Sequence, residues 1–189
     1  MNPDDRVACL KQGLREAQET ISPHYDDVFR EVQQRIDGAG SVGKADIAML
    51  TCWKRLRADT PWVGKLLSLP DPEVRARTTL AVRAARDGDV VAAAGRAREL
   101  LRSLPGFAQG TALASAVLTA ASPTRLAVYD KRERRGLQEI SLDLADQGPA
   151  FYGRYMALIE QCLAEAKQAG CRWLARDVDL ALFMLGGKP

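Results

Sequence analysis

The chain has 189 residues, 47% of them hydrophobic and 27% charged, with 27 Lys and Arg against 24 Asp and Glu. A chain of this size buries an adequate core without disulfide or metal staples, and its balance excludes a disordered or fibrous polymer. The net charge of +3 is too small to establish a nucleic-acid partner, which depends on whether the basic residues share a surface.

The opening Met1-Asn2-Pro3-Asp4-Asp5 has neither a basic n-region nor an apolar h-region, and no run approaches the roughly 18 apolar residues of a membrane helix. A cytoplasmic chain without membrane contact is expected. Cys9, Cys52, Cys162 and Cys171 form no C-x-x-C pair, so they are expected to be small buried hydrophobes rather than zinc ligands or a dithiol centre. A cytoplasmic setting argues against a Cys162–Cys171 disulfide. No metal and no cofactor are expected.

Val7, Leu10, Leu14, Ala17 and Ile21 make one helical stripe that Ser22-Pro23 stops. The lone His24 follows as a surface turn residue. A second helix carries Tyr25, Val28, Phe29, Val32 and Ile36 and ends in the turn at 37–40. A third is expected from about Lys44 to Arg57, with Ile47, Leu50, Cys52 and Trp53 inward, ending before Pro61. Asp71-Pro72-Glu73 starts the next, with Asp71 as N-cap, and carries it to about Arg86. Asp89 caps a helix bearing Val90, Ala93, Ala97 and Leu100 or Leu101, which breaks at Pro105-Gly106.

Another runs from about Gly110 to Ala121 and stops at Ser122-Pro123. Leu126-Ala127-Val128-Tyr129 reads as a short extended approach, with no partner strand, to a basic helix starting near Asp130. From Pro149 a long helix reaches Gly170, and a last one near 176–185, apolar on most sides, is expected to be buried. The pattern predicts one all-α domain over 1–189 of about nine or ten helices. Residues 1–40 form its N-terminal helices, and a tight hairpin lies at about 90–121.

That hairpin carries the functional information. Its second helix is rich in small residues, Ala112, Ala114, Ser115 and Ala116, which allow close helix approach. Gly106 and Gly110 remove side chains around an N-terminus whose free N–H groups suit a phosphate. On spacing alone, a corner used only for packing fits equally well.

Leu104-Pro105-Gly106-Phe107-Ala108-Gln109-Gly110-Thr111-Ala112 resembles the L-P-G-V-G-x-K-T-A hairpin of the endonuclease III and 8-oxoguanine DNA glycosylase superfamily. The order that follows is similar too: Ser122-Pro123, the apolar run to Tyr129, Asp130, then Lys131-Arg132-Glu133-Arg134-Arg135. The sequence further resembles bacterial proteins with an 8-oxoguanine DNA glycosylase-like fold, through Trp53-Lys54-Arg55-Leu56-Arg57, Leu113-Ala114-Ser115-Ala116 and 175–182, over roughly 45–187. The resemblance implies a helix-hairpin-helix glycosylase fold and duplex DNA as partner. Asp130 takes the place of the catalytic aspartate, whose charge stabilises the sugar cation or orients water; an N-cap for the basic helix is the alternative role.

Three departures matter. Gly110 stands where bifunctional members place the lysine that forms a Schiff base, so the implied enzyme is monofunctional. Ala108 replaces the second hairpin glycine, and the four-cysteine iron-sulfur loop is missing. Gly106, Ala108, Gln109, Gly110 and Thr111, with Lys131, Arg132, Arg134 and Arg135, are the expected DNA contacts. Lys54, Arg55 and Arg57 form a weaker second patch. Trp53, Trp62, Tyr129, Asp177, Asp179 and Phe183 are candidates for a pocket holding an extruded base, although aromatics at helical spacing also build cores and Asp177 also fits a cap. A catalytically silent DNA-binding protein and a protein-interaction module on the same fold are the alternatives. A monomer is expected.

Overall fold

The computed structural model describes residues 1–145, 148 and 150–187. Helix α1 (Pro3–Thr20) begins where the Asn2 side chain accepts the Asp5 N–H and Pro3 occupies the first turn, and it buries Val7, Leu10, Leu14 and Ala17. Helix α2 (Asp27–Ala39) buries Phe29, Val32 and Ile36 and ends at Gly40, whose φ is +63°. Helix α3 (Lys44–Trp53) stops short of the expected Arg57. The Leu56 N–H donates to the Thr51 carbonyl at 2.9 Å and the Arg55 N–H to that of Cys52 at 3.0 Å, closing the helix around Arg55 at φ +54°. This is a Schellman-type stop built on an arginine, so periodicity without a glycine gave no sign of it.

Helix α4 (Pro61–Ser68) was not expected; Pro61 reads as a terminator, yet it sits in the first turn, where its missing N–H is harmless. Helix α5 (Asp71–Arg86) follows the expected bounds, but Pro70 is its N-cap. Asp71 instead accepts the Lys44 N–H at 2.7 Å, capping the start of α3 from a distant stretch of chain. Helix α6 (Val90–Leu101) is capped by Asp89 as expected, and Leu101, not Leu100, is the buried member of that pair. Helix α7 (Ala112–Ala121) starts after the expected Gly110, which lies outside helical space at φ +75°. Helices α8 (Lys131–Glu139), α9 (Phe151–Gln168) and α10 (Ala175–Leu185) complete the chain. The expected start at Pro149 lies outside the described residues, among which there are ten helices and no strand.

Helix α7 is the axis of the molecule: every residue from Leu113 to Ala121 is buried, and α2, α3, α5 and α6 pack around it. Its alanines leave room for these neighbours at short interaxial distance. α6 also packs on α9, and α10 lies against α1, α8 and α9. The α10 contacts depend on absent side chains. A Cβ at Gly13 would stand 2.7 Å from the Ala181 carbonyl oxygen, and one at Gly136 would overlap the Leu182 backbone. No helix among the described residues is long and apolar enough to cross a membrane.

Candidate nucleic-acid interface and carboxylate site

The chain between α7 and α8 is extended without a partner strand, so side chains must satisfy its buried backbone groups. Ser115 Oγ accepts the Tyr129 N–H at 2.9 Å, and Asp179 accepts that of Val128 at 2.8 Å. The Tyr152 hydroxyl donates to the Ala127 carbonyl at 2.8 Å and the Tyr155 hydroxyl to that of Val128 at 2.7 Å. Elements α7, α9 and α10 thus fix the backbone that delivers Asp130, and Ser115 couples it to the hairpin helix.

Asp130 is the N-cap of α8. Its Oδ1 accepts the Arg132 N–H at 2.6 Å, while the Glu133 carboxyl reaches back to accept the Asp130 N–H at 2.9 Å. This reciprocal capping box satisfies two helix-start donors at once. The other oxygen, Oδ2, pairs with Lys54 Nζ at 2.7 Å, and the same ammonium lies 3.4 Å from Glu133 Oε1. The exposure is graded: 26% for the Asp130 side chain, 7% for Lys54 and 2% for Glu133.

Burial acts to raise the Asp130 carboxyl, but the hydrogen bond to Glu133, the Lys54 ammonium and the Arg132 N–H outweigh it and hold Asp130 well below the usual carboxylate range. Glu133 goes the other way: burial foremost, then its bond to the ionised Asp130, pushes it well above its ordinary value. Burial works against the Lys54 charge, but the Glu133 and Asp130 carboxyls more than compensate and raise it. Of the two carboxyls, Asp130 is the one whose charge its neighbours favour, and Glu133 the one whose charge burial disfavours.

Around this group stand two expected pocket residues. Phe183 lies under the Arg132 guanidinium at 4.6 Å and the Lys54 ammonium at 5.9 Å. Half-buried Tyr129 meets Phe151 and Tyr155 edge-on, each at 5.0 Å. Trp53, Asp177 and Trp62 lie elsewhere, and Asp179 is buried behind the group. Trp53 is core, against Phe29 at 4.8 Å, with its Nε1–H donating to Asp26 at 3.2 Å. Asp177 accepts the Leu174 N–H at 2.8 Å and so caps α10. Asp179 is fully buried, and burial pushes it up to about 6 despite Arg176 at 2.6 Å and the Val128 N–H. Trp62 lines an apolar cleft of about 400 Å³ between α3 and α4, together with Ile47, Thr51, Leu56, Val63 and Leu66.

The hairpin turn lies between α6 and α7. Ala108, Gln109 and Gly110 are exposed, and Thr111 is half-buried. Gly106 has φ +90°, but its missing side chain does not open onto solvent, because the Trp62 ring fills that space. Gly110 does face open space. Behind the turn, Arg98 donates to the Gly110 carbonyl at 2.7 Å, while its Nη1 has no hydrogen-bond partner. Burial, then the like charge of Arg102, lowers the Arg98 pKa. On α8, Lys131, Arg132 and Arg135 are exposed and Arg134 is half-buried.

Glu133 and Arg98 were not among the expected site residues, and Lys54, expected in a weaker surface patch with Arg55 and Arg57, is instead turned inward onto Asp130 and Glu133. Glu133 was legible as the fourth residue of a D-x-x-E capping box; the pairing of Lys54 with that box and the place of Arg98 behind the turn carried no local signal. Cys52, expected inward, is exposed on the cleft side of α3, and all four cysteines are free. No group of three or more His, Cys, Asp or Glu among the described residues is arranged to hold a metal ion. Comparison of the chain with protein-family models, curated proteins and solved structures gave no match.

Proposed function

We propose that this chain is a helix-hairpin-helix protein of the DNA glycosylase type, which grips duplex DNA and hydrolyses an N-glycosidic bond without a covalent intermediate. The observation that carries this reading is the position of Asp130. It is an ionised, partly open carboxylate at the start of a basic helix, tied through Tyr129 and Ser115 to the first turn of α7. The exposed turn at Ala108, Gln109 and Gly110 leads into the N-terminus of α7, which suits a phosphate, and Arg98 places a cation behind it with a buried, unpaired Nη1. The succession of hairpin, extended run, aspartate and basic helix supports the same reading.

In this scheme, DNA phosphates contact the hairpin and α8, and the damaged nucleotide is presented to the open side of Asp130. The carboxylate accepts a hydrogen bond from the attacking water and stabilises charge developing on the sugar. Asp130→Asn keeps the side-chain shape and much of the capping while removing the charge. Its base release, measured on single-lesion duplexes by alkaline strand scission, is expected to fall by roughly two to three orders of magnitude. Borohydride should trap no adduct. Full activity in Asp130→Asn, or a trapped lesion-dependent adduct, overturns the scheme.

A second reading, a DNA-binding protein without catalysis, is favoured by one observation: Lys54, at 2.7 Å, offsets the Asp130 charge locally. It predicts duplex binding with no strand scission on any lesion of the panel.

A further inference from the structure

We infer that Lys54 is a positioning residue for Asp130, holding its carboxylate ionised and in one orientation from the buried side of the site. The purpose assigned to Asp130 rests on the base-excision reading; the effect on its charge does not.

One capping box holds two carboxyls, those of Asp130 and Glu133. The Asp130 N–H donates to the Glu133 carboxyl at 2.9 Å, which keeps the two carboxyls close in a largely water-excluded site, and two like charges so close disfavour each other. Which carboxyl is ionised, and which way it points, then needs a third group. Lys54 supplies it, approaching Asp130 Oδ2 at 2.7 Å but Glu133 Oε1 only at 3.4 Å. With Oδ1 held by the Arg132 N–H at 2.6 Å, both oxygens of Asp130 are fixed by donors. The lysine is 7% exposed and the aspartate 26%, so the cation lies beneath the carboxylate and leaves its outer side free.

Other charged or titratable groups facing this site are Tyr25 before α2, Arg132 and Arg134 on α8, Tyr129 before it, Tyr155 on α9, and Asp179 with its partner Arg176 on α10. Lys54 lies within ion-pair distance of both carboxyls. The Schellman-type stop of α3 explains how it arrives there: the chain reverses at Arg55, leaving Lys54 inward and Arg55 on the surface. The same geometry argues against Lys54 as a nucleophile, because two carboxyl groups hold its protons in place and stabilise the ammonium.

The test is a carbon-13 carboxyl NMR titration of the full chain, following Asp130 in the parent protein, Lys54→Met, Lys54→Gln and Lys54→Arg. Loss of the cation in the Met or Gln variant should move the Asp130 titration up by at least about one pH unit, a tenfold gain in proton affinity. The arginine should keep it low. If the Met side chain prevents folding, the polar Gln variant supplies the same comparison. In the base-release assay, the acidic limb of the pH profile should rise by the same interval, with activity regained on the alkaline side. An unshifted Asp130 titration in a folded Met or Gln variant overturns the inference. A shifted titration in a protein that releases no base from any lesion supports it while removing the base-excision reading.

Discussion

Gly106 and Gly110 occupy the same short turn and both have positive φ, +90° and +75°, but their surroundings differ. A Cβ at Gly110 would meet nothing within 4 Å, whereas one at Gly106 would overlap the Trp62 ring. Gly110→Ala should therefore cost only the left-handed backbone term, about 1–2 kcal/mol. Gly106→Ala adds overpacking, for a total of about 2–5 kcal/mol. Urea denaturation of the two variants checks this; equal losses would mean that the Trp62 contact does not matter. The comparison also revises the purpose of the first glycine. The sequence suggested that it clears space for a phosphate, but it clears space for α4, a helix that the sequence reading did not contain. At the carboxylate site, the Asp130–Glu133 capping box was readable because it is local. The pairing of Lys54 with it was not, since Lys54 stands 79 positions from Glu133 and only the tertiary fold brings them together.

The same division between local and distant signals runs through the helices. Those with periodic stripes and local start or stop residues, α1, α2, α5, α6 and α7, were legible to within a few residues, although only α1 and α6 of them carry a side-chain N-cap. The stop of α3 and the existence of α4 were not, because an arginine in left-handed space and a proline at a helix start are both ambiguous without tertiary context. Helix α10 was expected to be buried, and its Ala175, Val178, Asp179, Ala181 and Leu182 are. It anchors more than itself: Asp179 holds the Val128 N–H, Arg176 ties Asp179 to Asp26 at the start of α2, and Gly13 and Gly136 accept its backbone closely. Removing residues 175–189 would expose the facing sides of α1 and α8 and leave the Val128 N–H without its acceptor. The truncated chain should lose its cooperative thermal transition or melt far below the parent. A truncated protein that melts like the parent would show that α10 is peripheral.

At the scale of the whole molecule, the net charge of +3 is weak evidence for any partner, and the distribution of charge decides the matter. Much of the basic content is internally neutralised. Arg6 pairs with Glu165, Arg35 with Asp46, Arg86 with Asp37 and Arg176 with Asp26 and Asp179. The first turns of α8 differ: Lys131, Arg132 and Arg135 are exposed there, and Ser115 links that end to the hairpin helix. A duplex laid across both would release about one counterion for each phosphate neutralised, so log K should fall linearly with log salt. The triple variant Arg132→Ala, Arg134→Ala, Arg135→Ala should bind more weakly, with a slope shallower by about two to three. Net charge alone could mimic part of this. The control is therefore an equal charge loss at Arg15, Lys167 and Arg172, three exposed residues outside both the hairpin and α8. If the α8 surface meets the phosphates, only the first variant flattens the salt dependence, whereas a net-charge effect weakens both variants alike. Titrations at low and moderate salt that give parent, α8 variant and control one common slope would remove α8 from the interface.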